Sequence, residues 1–368
     1  MNFAVTEEQQ QLADTLQRLL HETNDFESRR KRLGARVPDR LALWPRFAAT
    51  GVIAAAFDEA HSGFAGDART VAVVLSLLGE SLAVEPYLAN AVIIGRILQH
   101  ATASGTSDLI EESIAGSKIL VLAHDSGTDP FTAPGVLAAG NVGEIMLTGT
   151  LRCVRHADVA TGFLVPAVRD GLTSIYHLPC GSAGMSLTTY RLMDGAGAGD
   201  LDLRSVRPPA SSMMTFDMAA RDVLHDALEW GLLGLAAEAA GIIGALNRAT
   251  FSYLNSRKQF GVPLGSFQAL QHRAADMFIA AEEISAAVNY AIGALTNSTG
   301  VARSAAICSA KVVADVAGRR VGHEAVQMHG AMGVSDELNV SHFARRLTTI
   351  RAELGSADVH RQRMANLQ

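Results

Sequence analysis

The run from Leu232 to Leu246 is apolar around most of its helical circumference, and Glu238 is its only charged residue. A helix of that kind belongs inside a bundle, because a surface helix needs a polar face. This run therefore commits the C-terminal part of the chain to a helical bundle, and such helices commonly pack against other subunits as well. The rest of the chain follows from where helical periodicity gives way to something else. From Thr6 to about Gly116, apolar residues recur at helical spacing, as in Leu12, Leu16, Leu19 and Leu20, and again in Val71, Val74, Leu75 and Leu78. Pro38, Pro45, Gly51, Gly63, Gly66 and Pro86 mark the joints. Thr6 and Gln9 have the spacing of a capping box. Between about Lys118 and Asp217 the pattern shifts to short β-rich segments, Ile119 to Leu122, Glu144 to Leu147 and Thr161 to Val165, set apart by turn residues. From Met218 the chain is helical again.

The expected architecture is mostly α with a central, mostly antiparallel β domain. Its divisions are a helical domain over 1–117, a β domain over 118–217 and a helical bundle over 218–368. A chain of 368 residues is long enough for several packed units. The formal net charge of −6 argues against a nucleic-acid partner, which requires a basic face. Cys153, Cys180 and Cys308 lie too far apart for a zinc motif or a disulfide framework, so no metal is expected and a cytoplasmic setting is. The N-terminus reads as a helix entry rather than a signal peptide. The longest apolar runs, such as Val71 to Gly79, fall short of the roughly 20 residues a membrane span needs, so no membrane partner is expected either. The stretch Gly195-Ala-Gly197-Ala-Gly199 lacks the G-x-G-x-x-G spacing of a nucleotide loop and reads as a turn.

The segment richest in chemistry is Tyr253-Leu-Asn-Ser-Arg257-Lys-Gln-Phe260-Gly261-Val-Pro263-Leu-Gly-Ser-Phe267-Gln268. A helix ends in a basic patch, and a Gly261 and Pro263 turn starts a second helix, so Arg257, Phe260 and Gln268 gather near one corner of the bundle. An arginine there can grip a phosphate with two hydrogen bonds, while Phe and Gln can contact a ring system. Composition alone equally allows a helical hairpin with a solvated Arg-Lys pair.

This run resembles the R-x-x-F-G-x-P-x-x-x-F-Q signature of the acyl-CoA dehydrogenases. Gln327-Met-His329-Gly330-Ala331-Met-Gly333 is similar to the Q-x-x-G-G-x-G segment of that family, with Ala331 in place of the second glycine. A third match joins Gly51 to Glu59, Gly63 and Gly66 with Leu78-Gly79-Glu80. The resemblance implies the acyl-CoA dehydrogenase fold: N-terminal helical domain, β-barrel-like middle domain and C-terminal four-helix bundle. It also implies FAD as cofactor, an acyl-CoA substrate, and electron-transfer flavoprotein as electron acceptor. Arg257, Phe260, Gln268, Gln327 and Gly330 are then the expected FAD contacts, made across a subunit boundary.

The chain departs from that family where the chemistry is done. The reaction needs a carboxylate to take the α-proton while a β-hydride passes to flavin. The two positions that carry this Glu in the family align with Gly231 and Leu354 here. Glu229 and Glu353 are near neighbours, but on a helix an offset of even one residue turns a side chain by about 100°. Glu238, two turns beyond Gly231, is a weak candidate for a displaced base, with a bundle ion pair as the other reading. The flavin-cradling segment is replaced by His124-Asp125-Ser126-Gly127-Thr128-Asp129, and a later flavin-flanking run by Leu151 to Arg155. His124 and His156 read as hydrogen-bonding loop residues. Three expectations result. The chain is the non-basic half of an α2β2 heterotetramer with a homologous subunit that supplies the Glu, as in bacterial enzymes of steroid degradation; or it is a self-sufficient homotetramer with a displaced carboxylate; or it is a flavin-free structural subunit.

Overall fold

In the computed structural model, residues 5–35, 39–64, 66–124, 129–140 and 144–367 are described. Six helices come first: α1 (Glu7–Thr23), α2 (Phe26–Gly34), α3 (Trp44–Ala49), α4 (Ala68–Ser81), α5 (Gly95–Gln99) and α6 (Thr106–Ile114). A π-helical stretch, Tyr87–Ile94, leads into α5. Seven strands follow: β1 (Leu120–Leu122), β2 (Leu137–Ala139), β3 (Met146–Arg155), β4 (Gly162–Arg169), β5 (Leu172–Pro179), β6 (Met185–Arg191) and β7 (Gly197–Val206). The chain then runs through α7 (Ala220–Ser256), a hairpin of β8 (Lys258–Gln259) and β9 (Val262–Pro263), α8 (Gln268–Asn297), α9 (Gly300–His329), α10 (Asn339–Ala352) and α11 (Ala357–Asn366). The helix, sheet, helix order is as expected from the sequence.

The chain forms two compact units. One comprises Met1–Arg29, Ala72–Ala83 and Leu232–Gln368; the other comprises Arg30–Val71 and Val84–Gly231. In the first, the expected capping box is present: Gln9 N–H donates to the Thr6 hydroxyl at 3.2 Å, and Thr6 N–H to the Gln9 side chain at 3.1 Å. The apolar run of α7 is buried on all its faces except near Ala240 and its end, as its composition requires. A Cβ at Gly79 would sit 2.3 Å from the Glu238 carbonyl, so only glycine lets α4 lie directly on α7 there. Beside it Glu80 pairs with Arg248.

By length and composition α7 and α8 are both apolar enough to cross a membrane, although neither contains the long unbroken apolar run that the sequence pattern would reveal. Their burial differs sharply. The apolar window of α7 is 89% buried within the protein, as in a core helix, whereas that of α8 is 33% buried. On α8 the side chains of Phe278, Ile279 and Tyr290 face outward.

The second unit holds the sheet, in the order β1-β4-β2-β3-β7-β6 with β5 also on β4. Pairing is antiparallel except where β4 meets β1 and β2. Gly195 makes the expected turn at φ 88°, but Gly197 to Gly199 already belong to β7. A Cβ at Gly197 would fall on the Asp158 carboxylate, so this glycine serves close packing of the strand.

The same unit buries Glu85, and among the described residues no side chain hydrogen-bonds its carboxylate. Burial pushes its pKa up to about 7, against the smaller opposing pull of nearby backbone amides and Arg32. The folded state therefore holds this proton more tightly than the unfolded chain. Stability supplied by the neutral form is complete below about pH 4.5 and is lost as the pH rises to about 7. Glu85→Gln should leave stability little changed near pH 4 and raise it by about 3 kcal/mol at pH 8. Urea unfolding at both pH values measures this, and an equal effect at the two would refute it.

Candidate functional site

One end of the C-terminal bundle brings the end of α7, the start of α8 and the end of α9 to the same level. Asn247 of α7 donates to the Met277 carbonyl of α8 at 3.0 Å. Arg273 and Asp276 of α8 pair with Glu324 and Arg320 of α9, at 2.5 and 3.0 Å, which fixes the two helices as antiparallel neighbours. The Tyr253 ring stacks on the His329 ring, with centroids 4.4 Å apart and planes 26° apart. Arg257 lies one turn beyond Tyr253, and Gln327 and Gly330 flank His329, so all three belong to this end. Gln268, the first residue of α8, joins them.

The turn expected between α7 and α8 is a short β-hairpin. Phe260 and Gly261 form its two-residue tip at φ 52° and 84°, the doubly left-handed geometry that suits a tight hairpin. Such a backbone is costly for Phe, and the ring is 92% exposed, meeting Phe267 edge-on at 6.3 Å between centroids. Arg257 is exposed and has no side-chain partner among the described residues. No side chain caps the start of α8, which leaves its first amides open to an anion. Gln268 and Gln327 are exposed. Gly330 ends α9 at φ 61° and ψ −138°, a conformation confined to glycine, and nothing lies within 4 Å of where its Cβ would be.

From Gln327 a groove of about 350 Å³ runs along α9 against α10, with Arg319, His323 and Arg351 on its walls and no carboxylate in its lining. The donor set at this end is a guanidinium, two primary amides and uncapped helix amides beside a bare aromatic ring and an open glycine. That chemistry fits a dinucleotide: the charged and amide donors suit a pyrophosphate, and the ring a flat base.

The two positions expected to hold a base differ in setting. Gly231 is buried within α7, and Leu354 is buried in the turn between α10 and α11 with its backbone left-handed at φ 54°. Glu238, carried as a weak candidate base, forms an ion pair. Arg346 donates to both of its oxygens at 2.6 Å, and each side chain is about 8% exposed. Both of its oxygens are thus engaged in a bundle ion pair, the other reading offered for this residue. The same Arg346 donates to Glu353 at 2.9 Å, so two of the three carboxylates near the base positions are held by one residue. Glu229 is buried.

Sequence reasoning missed the network around this turn. Lys311, fully buried, donates to the Ile350 carbonyl at 2.9 Å, and desolvation pulls its pKa down to about 8. Asp315 accepts from Arg351 at 2.5 Å and from the first amide of α11 at 3.0 Å. His360 donates to the Leu354 carbonyl at 2.8 Å. Charges at such places were visible as residues but not as partners.

In the sheet unit, His124 donates to the Pro130 carbonyl at 2.9 Å, as expected of a loop histidine. Asp125 to Thr128, most of the segment standing where the flavin cradle was expected, lie outside the described residues. His156, read as another surface loop residue, does lie in the turn after β3, at φ 61°, but is buried.

Residues 221–367 match the family model described as the acyl-CoA dehydrogenase C-terminal domain. Over 331 residues the chain is 28% identical to acyl-CoA dehydrogenase FadE27 of Mycobacterium tuberculosis, covering 86% of this chain and 84% of that one. Its fold is similar to a chain of the ChsE4-ChsE5 complex from Mycobacterium tuberculosis, with a TM-score of 0.90, 26% identity, and coverage of 100% and 98%. It is likewise similar in fold to a variant of the Tcur3481-Tcur3483 steroid ACAD, with a TM-score of 0.89, 24% identity, and coverage of 98% and 97%.

Proposed function

We propose, for a chain that belongs to the FAD-dependent acyl-CoA dehydrogenase family, that it is the dinucleotide-gripping half of such an enzyme and leaves proton abstraction to a homologous subunit. Members of this family are oxidoreductases acting on the CH–CH group of an acyl-CoA. FAD, held by Arg257, Gln268 and Gln327, would supply the hydride acceptor for the β-carbon.

The observation that carries the reading is a contrast within one molecule. Arg257, Phe260, Gln268, Gln327 and Gly330 stand exposed at one bundle end. The carboxylates Glu238 and Glu353 are both consumed by Arg346. Arg257 and the α8 amides would hold the pyrophosphate, Phe260 would lie against the adenosine, and Gly330 would leave room for its approach. Because these groups point outward, the flavin they hold is one whose remaining contacts come from another protomer. The half-bare α8, with Phe278, Ile279 and Tyr290 exposed along it, supports assembly with further chains, since contiguous exposed apolar patches mark protein interfaces.

The partner is a homologous subunit carrying the missing Glu, in an α2β2 arrangement; the similarity to a chain of the ChsE4-ChsE5 complex supports this. A thioester on a steroid side chain is the proposed acyl group, electron-transfer flavoprotein the proposed acceptor, and the cytoplasm the proposed location. Expression alone and together with an adjacent homologue tests the assignment. The chain alone should be colourless or inactive, and yellow and active only with its partner. A yellow protein active by itself would favour a homotetramer, and a colourless complex whose partner works unaided would favour a purely structural subunit.

A further inference from the structure

We infer that the stacked rings of Tyr253 and His329 are the positioning pair of the proposed FAD grip, coupling the Arg257 side of the site to the Gln327 and Gly330 side. This rests on the reading of that bundle end as the dinucleotide site.

Two different helices carry the two halves of the site. Arg257 leaves the last turn of α7, where its N–H donates to the Tyr253 carbonyl at 2.8 Å and its own carbonyl accepts from Leu264 N–H at 2.8 Å. Gln327 and Gly330 belong to the last turn and the terminus of α9. Helix ends fray unless something holds them. Arg273, Asp276 and Asn247 zip the helices one or more turns further in, at Glu324, Arg320 and Met277. At the level of the site itself, the ring stack joins α7 to α9.

His329 is fixed in turn from its own helix, its Nδ1 donating to the Ala325 carbonyl at 2.8 Å, and it is buried. Its ring therefore presents a fixed face to Tyr253, and the Tyr253 backbone hands that placement on to Arg257 through the 2.8 Å hydrogen bond. Two rings 4.4 Å apart and nearly parallel lose their registry if either becomes aliphatic, although the space stays filled. The Tyr253 hydroxyl plays no part in the stack, so phenylalanine should serve there.

The test measures FAD dissociation from the assembled flavoprotein by flavin fluorescence, alongside melting of the flavin-free form, in four variants. Tyr253→Leu and His329→Leu each remove one ring, Tyr253→Phe keeps the stack, and Arg257→Ala controls for the underlying site. The expected result is an FAD Kd raised about tenfold in both leucine variants and within about twofold of the parent in Tyr253→Phe. A fold contribution alone would lower the melting temperature without moving Kd. Unchanged Kd in the leucine variants, with Arg257→Ala still impaired, overturns the positioning role and leaves the site standing. Unchanged Kd in Arg257→Ala overturns both. Should one leucine variant fail to fold, the other decides, because it breaks the same stack from the opposite helix.

Discussion

Arg257→Ala weakens FAD binding about a hundredfold, enough to strip flavin from the assembly during purification. The size follows from what a guanidinium does for a pyrophosphate: two charge-assisted hydrogen bonds, together worth about 2 to 3 kcal/mol where water is partly excluded. Arg257→Lys recovers only part of this, since an ammonium keeps the charge but not the two-pronged geometry. The ratio of flavin to protein absorbance after gel filtration reads out both variants. Full flavin occupancy in Arg257→Ala would remove the basis for the site. The loss should shrink with added salt, because screening weakens the ion contact of the parent while the variant has none left to screen.

Arg346→Met destabilises the fold by about 3 to 5 kcal/mol. The cost is not the loss of an attractive pair so much as the stranding of two carboxylates, Glu238 and Glu353, where water hardly reaches. Removing one of those charges as well should recover a large part of the loss, so Arg346→Met with Glu238→Gln is expected to be more stable than Arg346→Met alone. Urea unfolding of the single and double variants provides the check. A single-variant loss below about 1 kcal/mol, or no recovery in the double, would show that the network is solvated rather than enclosed.

Much of the fold was legible because it rests on short-range rules. The Thr6 and Gln9 cap, the helical period from Leu12 to Leu20, and the enclosure of Leu232 to Leu246 are each decided within a few turns of chain. The residues of the proposed FAD end were legible as neighbours for a related reason: Arg257, Phe260 and Gln268 lie within one helix-turn-helix connection. What brings Gln327 and Gly330 to them is the packing of three long helices, which the sequence supports only through resemblance. Two local features escaped. The strands at 258–259 and 262–263 are two residues each, too short to show a period, and the left-handed Phe260 runs against the preference of a bulky residue. The π-helical stretch at Tyr87–Ile94 is apolar apart from Asn90 and has no periodic signature to betray it. The Arg346 clamp was beyond reach for a different reason: it joins positions 108 residues apart, and no spacing rule links a charge on one helix to a charge on another so distant in the chain.

The bare benzyl group at the hairpin tip has a consequence for how the protein is made. With 92% of Phe260 open to water and the backbone beneath it held in an unfavourable turn, the proposed assembly would cover this ring from both the cofactor and a second protomer. Cofactor loading and subunit joining would then be one event seen from two sides.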